Sequence, residues 1–451
     1  MKKIFSIKSI KAQALLIWGF IFFILLFFQF FSELLFGSDG YYHIRLAEIM
    51  GREGLVLHDF PWHRIGLWSH SFADKEFLFH VYLLPFTWLQ NLQISFPGIG
   101  IKVLELADTG RIAIALLGSF VFLIFFLILK SQKIVLAPFW TLFLFSGSIY
   151  WIFRICMIRP HVMSILFFLT GIYFLFLRKW PYLFFLAFLY PIAYHSAFIF
   201  MSIPFFFLLL LFLKEKRDKQ PPPTTKKRYF TYFYPLVLVL TALLLGYCFH
   251  PYFPKNIYLF YVQIVKVLSH MMMDSTDSIG QELGAELHPT PFLGQLQINM
   301  GVLLLWGVFL VLLPFYYRRL RWKTWFLLCI TLPFSSLMVV SARFIEYWLP
   351  SSFLFFAFAF HDIFPAKQDE SRENEKGKII FFNQKITCFW FLLFTTLSFL
   401  GVYLVTQPFH YLTLMGIFVV SLLVLITFFS FFSILYQKIH YNPLRASLFY
   451  T

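Results

Sequence analysis

"ALLIWGFIFFILLFFQFFSELLFGSDGYYHIR", residues 14–45, decides how this chain is read. Up to Phe36 the stretch carries a single charge, Glu33. About 20 apolar residues in a helix rising 1.5 Å per residue match the hydrocarbon thickness of a bilayer. The chain then sets down Asp39, Tyr41, Tyr42, His43 and Arg45 within seven positions. Lys2, Lys3, Lys8 and Lys11 precede the run. It is too long for a signal-peptide core and no A-x-A site follows it, so it reads as a retained first span with a cytoplasmic N-terminus.

The whole chain bears this out in composition. Of its 451 residues, 60% are hydrophobic and 13% charged, against about 25% charged in soluble domains. The expected class is an all-α polytopic membrane protein, one domain over residues 1–451. The 66 phenylalanines fit lipid-facing positions that accept any apolar side chain. A net charge of +16 would suggest nucleic acid in a soluble protein; here the basic residues fall in loops, and no nucleic-acid partner is expected. The four cysteines form no C-x-x-C pair, so neither a disulfide framework nor a metal knuckle is implied.

Apolar stretches at roughly 13–36, 111–129, 134–151, 162–177, 181–196, 198–213, 230–249, 293–316, 324–342, 347–361, 387–406 and 412–436 give about 12 spans. The stretch at 77–95 contains Pro85, Gln90 and Asn91 and reads as an interfacial or re-entrant helix. With the N-terminus inside, about 26 of the 37 Lys and Arg fall on the cytoplasmic side, including the loops at 214–229 and 362–386. About 11 of the 13 histidines fall on the other side, where two segments are long, 37–110 and 250–292. Inert basic loops inside and chemically varied loops outside suit an outward-facing site at the membrane surface.

Five clusters carry the candidate chemistry. Asp39, Tyr42 and His43 share a helix face by their i, i+3, i+4 spacing. Equally, Ser38 or Asp39 caps an interfacial helix with the tyrosines in the aromatic belt. In "HSFADKEFLFH" (70–80), Glu76 and His80 are again four apart, a metal-pair spacing that is weak with two ligands. "FRICMIRPHVMS" (153–164) places Arg154, Arg159 and His161 at a membrane boundary. Arginine there grips phosphate or snorkels to headgroups. Glu282 and Glu286 lie in the second long segment, as mobile acids or a solvated helix face. Arg343 ends a late span beside Glu346, an i,i+3 ion pair or a phosphate ligand.

Together these features resemble the GT-C class of membrane glycosyltransferases, and within it the catalytic subunit of oligosaccharyltransferases. Archaeal members of that family often read D-x-Y-Y-H-x-R at the start of a large first outer loop, and Asp39, Tyr41, Tyr42, His43 and Arg45 match residue for residue. The resemblance implies a second motif, D-x-D or a variant, between the third and fourth spans; here the place reads "RPH", with Arg159 for the first acid and His161 for the last residue. It implies an acid on a mobile outer loop, for which "SIGQE" offers Glu282, with Glu286 competing, and a phosphate-contacting arginine, for which Arg343 stands in "SARF". The likeness covers roughly residues 1–360. The family's W-W-D-x-G domain, which reads the glycosylation sequon, has no counterpart, so peptide N-glycosylation is not expected.

The resemblance therefore implies an inverting glycosyltransferase of a prokaryotic cytoplasmic membrane. It would move a sugar from a polyprenyl-phosphate or -diphosphate donor to a glycan, lipid or protein acceptor. Asp39, with Glu282 or Glu286, would be catalytic. Arg343, Arg159 and Arg154 would hold the donor phosphate, and Tyr42, His43 and His80 would support them. Mg2+ or Mn2+ on Asp39 and His161 and a metal-independent reaction are both open, because Arg159 stands where an acid is expected. The alternatives are a transporter or lipid flippase, and a non-catalytic subunit of the same fold.

Overall fold

The computed structural model describes residues 10–60, 72–96, 100–217, 226–266 and 292–364. The expected spans at 387–406 and 412–436, and Glu282 and Glu286, lie outside the described residues. The described residues are helical as expected, with one departure among them. An antiparallel hairpin of β1 (Gln93–Phe96) and β2 (Gly100–Val103) pairs Gln93 with Val103 and Phe96 with Gly100. Periodicity over four-residue strands is too short to be read against an apolar background.

α1 (Ile10–Phe31) packs along α4 (Leu106–Ser131). α4 starts at a capping box in which Asp108 accepts from the Glu105 N–H at 3.1 Å. Between them stand α2 (Asp39–Glu53) and α3 (Phe77–Thr87). At 11 residues α3 is too short to cross a bilayer, consistent with its exclusion from the spans. The expected span at 134–151 is instead two helices, α5 (Ala137–Ser146) and α6 (Ile149–Cys156), meeting at 86°. The elbow has a local cause. Ser148 is extended and its hydroxyl accepts from the Trp151 N–H at 3.4 Å, starting a new helix. Gly147 admits the Phe353 ring where a Cβ would stand 2.7 Å away.

α7 (His161–Leu177), α8 (Trp180–Ala193), a 3₁₀ turn at Ala197–Met201, α9 (Ser202–Arg217) and α10 (Lys226–Cys248) follow. α11 (Lys255–Phe260) leads into a π turn at Tyr261–Lys266. α12 (Phe292–Tyr316), α13 (Trp322–Val340) and α14 (Ile345–Ile363) complete the described bundle. α14 is buried almost throughout, so the bundle closes around it. Among the described residues, four helices are long and apolar enough to cross a membrane, α1, α4, Gly301–Arg319 and α13, and the bent α5–α6 pair makes up to five.

The two ends of the bundle differ in chemistry. At one, Arg321 pairs with Asp362, Lys323 donates to Gln132, and Arg319 donates to the Ile363 carbonyl. These contacts gather the α4–α5 and α12–α13 turns and the end of α14, which the charge count had put on one side. At the other end a small separate core of Leu46, Ile49, Leu57, Phe72, Tyr252 and Leu259 joins the two long polar segments, and the Leu57 N–H donates to the Tyr252 hydroxyl at 2.9 Å.

Candidate functional site

A cavity of about 340 Å³ opens at this second end. Each wall comes from a different connection. Asp39, Tyr42 and His43 project from the first turns of α2. Lys75 and Glu76 come from the turn into α3, and Arg159 and His161 from the α6–α7 connection. His195 follows α8, Gln263 lies in the π turn, and Arg343 sits in the turn before α14.

Asp39 is the first residue of α2, but no side chain caps that helix: Ser38 has helical backbone angles and makes no cap bond. The Asp39 carboxylate, about half exposed, instead pairs with the Arg159 guanidinium. Pro160 fixes the backbone beside Arg159, whose N–H donates to the Met157 carbonyl at 2.8 Å. Arg343 donates from Nη2 to the Tyr194 hydroxyl at 2.7 Å. Glu346, expected beside Arg343 in an i,i+3 pair, is paired with Arg154 of α6, both fully buried. Arg154 therefore does not line the cavity. Its carbonyl accepts from His161 Nε2 at 2.8 Å, which puts the His161 proton on that nitrogen.

Deeper in, a polar file runs from α3 to α2. Asp74 Oδ2 accepts from His80 Nδ1 at 2.7 Å, and His80 Nε2 lies 2.8 Å from His43 Nδ1. Glu76 stands 4.0 Å from His43 Nδ1, 3.4 Å from His195 Nδ1 and 3.8 Å from Lys75 Nζ. Lys75 also donates to Gln263 Oε1 at 2.7 Å, tying the first long segment to the second. Tyr42 meets His43 and His80 edge-on, with centroids at 5.0 and 6.0 Å, which holds both imidazoles in place.

Burial governs the titration here. It pushes the His43 imidazole down to about 3, a shift that Glu76 opposes and His80, Lys75 and Arg159 reinforce. Burial alone would raise the Glu76 carboxyl, but Lys75, then His195 and His43, hold it well below its ordinary value. The Tyr42 phenol is raised by burial and by Asp74 and Glu76. The Glu76 carboxylate is thus charged and the His43 imidazole neutral at neutral pH.

The chain matches no protein-family model and no curated protein sequence.

The structure brings Asp39, Tyr42, His43, Arg159, His161 and Arg343 to one cavity and sets His80 directly behind His43. It also adds Lys75, His195 and Gln263, which sequence reasoning missed. His195 had a signal, a lone histidine in the otherwise apolar "YPIAYHSAFIF" (190–200). The Mg2+ or Mn2+ implied by the resemblance does not fit Asp39 and His161. Such ions want unpaired oxygen ligands. Asp39 is already paired with Arg159, and the cations Arg159 and Arg343 share the same walls, so a further divalent cation there would meet fixed positive charge.

Proposed function

We propose that this protein is a GT-C-like membrane glycosyltransferase that moves a sugar from a polyprenyl-phosphate or -diphosphate donor to an acceptor with inversion. One observation carries the reading: a half-exposed carboxylate, Asp39, shares a cavity with two guanidiniums, Arg159 and Arg343, at the end of the bundle away from the basic turns. In this reading the chain threads the bilayer about 12 times. Its cavity faces outward from a prokaryotic cytoplasmic membrane, and the donor's polyprenyl tail lies among the surrounding lipids.

Arg343 and Arg159 bind the donor phosphate and stabilise the charge that develops as the sugar–phosphate bond breaks, the largest electrostatic demand of such a reaction. Arg159 is shared between two anions. When phosphate draws it away, the Asp39 carboxylate is released to orient the acceptor nucleophile and take its proton. The nucleophile forms its bond to the anomeric carbon as the phosphate leaves with the bonding pair. No step is routed through a metal ion. Glu282 or Glu286 would add a second acid from the outer loop.

The test is incubation of purified protein in lipid nanodiscs with labelled polyprenyl-phosphate and polyprenyl-diphosphate sugars and a set of glycan, lipid and peptide acceptors. Transfer by the wild type that Asp39→Ala abolishes is the expected result. Transfer undiminished in Asp39→Ala overturns the mechanism. A second reading, transport of a lipid phosphate, draws on the broken α5–α6 pair, since transporters place binding sites at interrupted helices. Flux across liposomes without any sugar transfer would favour it.

A further inference from the structure

We infer that His43, His80 and Glu76 form a binding site for a divalent transition-metal ion, with zinc as the best-matched member of the class. This inference goes beyond the proposed transfer and uses none of its phosphate or base residues.

Among the described residues, these three are the set whose ligand atoms gather within 4.8 Å of one another. The donor set is two imidazole nitrogens and one carboxylate oxygen, which zinc accepts with a fourth position left open. The same set also suits iron(II) and its neighbours in the first transition row. Magnesium and calcium, which want oxygen, are a poor match.

Two further features point to a cation. First, Asp74 accepts from His80 Nδ1 at 2.7 Å, so the lone pair of His80 is on Nε2, facing His43. A carboxylate that orients a histidine this way is the usual support for a metal ligand. Asp74 is itself fixed, because its Oδ1 accepts from the Glu76 N–H at 2.9 Å. Second, ligand atoms of three residues converge on one point. His80 Nε2 and the Glu76 carboxylate both offer lone pairs to the space beside His43 Nδ1. One proton on Nδ1 serves His80 at 2.8 Å, while the Glu76 carboxylate, which faces His195 at 3.4 Å and Lys75 at 3.8 Å on its other side, stands 4.0 Å away. A cation at the centre takes lone pairs from all three.

The geometry is within reach. Nitrogens bound to zinc at about 2.0–2.1 Å in a tetrahedron stand about 3.3 Å apart. His43 and His80, at 2.8 Å, need to open by about half an ångström, and Glu76, at 4.0 Å from His43, to close on it by a similar amount. His43 and Glu76 line the cavity and His80 does not. The ion would therefore enter from the cavity and keep its open position toward it.

The test is metal binding in purified, chelator-stripped protein, read without any sugar transfer. Cobalt(II) is added as a spectroscopic probe and zinc as a competitor. One cobalt per chain with ligand-field bands in the visible, displaced by zinc, is the expected result. His80→Gln and Glu76→Gln should lose the bands. Asp74→Asn should weaken binding about 10- to 100-fold. Asp39→Asn should bind cobalt like the wild type, which separates this site from one built on Asp39. Size-exclusion profiles report whether each variant is folded, and the wild-type and Asp39→Asn titrations decide the matter if the others are not. No bound ion in the wild type, or bands unchanged in both glutamine variants, overturns the site and leaves a hydrogen-bonded relay from Asp74 to His43. A chain that transfers sugar but binds no metal fails this inference alone. A chain that binds metal but transfers nothing fails the proposed function alone.

Discussion

Asp39 and Arg159, 120 positions apart, form an ion pair within one cavity, the carboxylate half exposed and the guanidinium mostly covered. Under the proposed function, the pair would put a base and a phosphate ligand under mutual control. Asp39→Asn should lower the transfer rate by about 10²–10⁴, the usual contribution of a positioned base. Arg159→Ala should instead raise the donor KM while uncovering the carboxylate. Steady-state kinetics on both variants separates the two roles, and equal KM effects would contradict the assignment.

Arg343 donates to the Tyr194 hydroxyl from the cavity wall. Loss of a charge-assisted contact to a donor phosphate is worth about 1.5–3 kcal/mol, so Arg343→Ala should cut kcat/KM by about 10- to 100-fold. Tyr194→Phe, which removes the partner and keeps the charge, should do much less.

Arg154 and Glu346 test packing rather than binding. Both are buried, and removal of one member of such a pair leaves an uncompensated charge costing about 3–5 kcal/mol. Arg154→Met should sharply lower the melting temperature in detergent. The double variant Arg154→Met, Glu346→Leu should recover much of the loss, because two apolar side chains replace the pair without stranding either charge.

α8 and α10 touch at Gly246, where a Cβ would stand 2.2 Å from the Phe188 carbonyl oxygen. Backbone cannot move aside as a side chain can. Gly246→Ala should part the two helices and destabilise by about 1–3 kcal/mol. A melting temperature equal to wild type would show that the helices are not held so closely.

His250 gives the pH dependence. Burial pushes it down to about 4, against the opposing field of Asp74. Its Nδ1 accepts from the Tyr252 N–H at 3.1 Å, a bond that protonation of that nitrogen destroys. Between the ordinary histidine value of about 6.5 and the folded value, the unfolded chain binds a proton that the native chain refuses. Stability therefore falls as pH is lowered through that window, by up to about 1.4 kcal/mol per pH unit for one such group. Melting curves at pH 7 and pH 5 should show the fall, and His250→Asn should reduce it by one group's share, since the buried His43 acts with the same sign.

The apolar helices were legible because hydropathy over about 20 residues is a strong signal. The α5–α6 elbow was not, because Gly147 and Ser148 barely dent a hydropathy average while Ser148 restarts the helix through one hydrogen bond. At the site, the i,i+4 spacings drew attention to Asp39 with His43 and Glu76 with His80. Pairing across the fold could not be read. Glu346 has Arg343 as its sequence neighbour yet takes Arg154, because α6 and α14 pack together while Arg343 turns toward Tyr194. His195 stood in plain view but had no patterned partner until α8 carried it to Glu76.

The burial of Arg154 against Glu346 also sets the charge balance of the cavity. With that guanidinium withdrawn, and before any ion joins His43 and Glu76, the formal charges on the walls are Lys75, Arg159 and Arg343 against Asp39 and Glu76, an excess of one positive charge. A sugar joined to polyprenol through a single phosphate is a monoanion and brings the cavity to electroneutrality. A diphosphate link carries a second negative charge that the walls do not match, so charge bookkeeping alone favours the monophosphate donor.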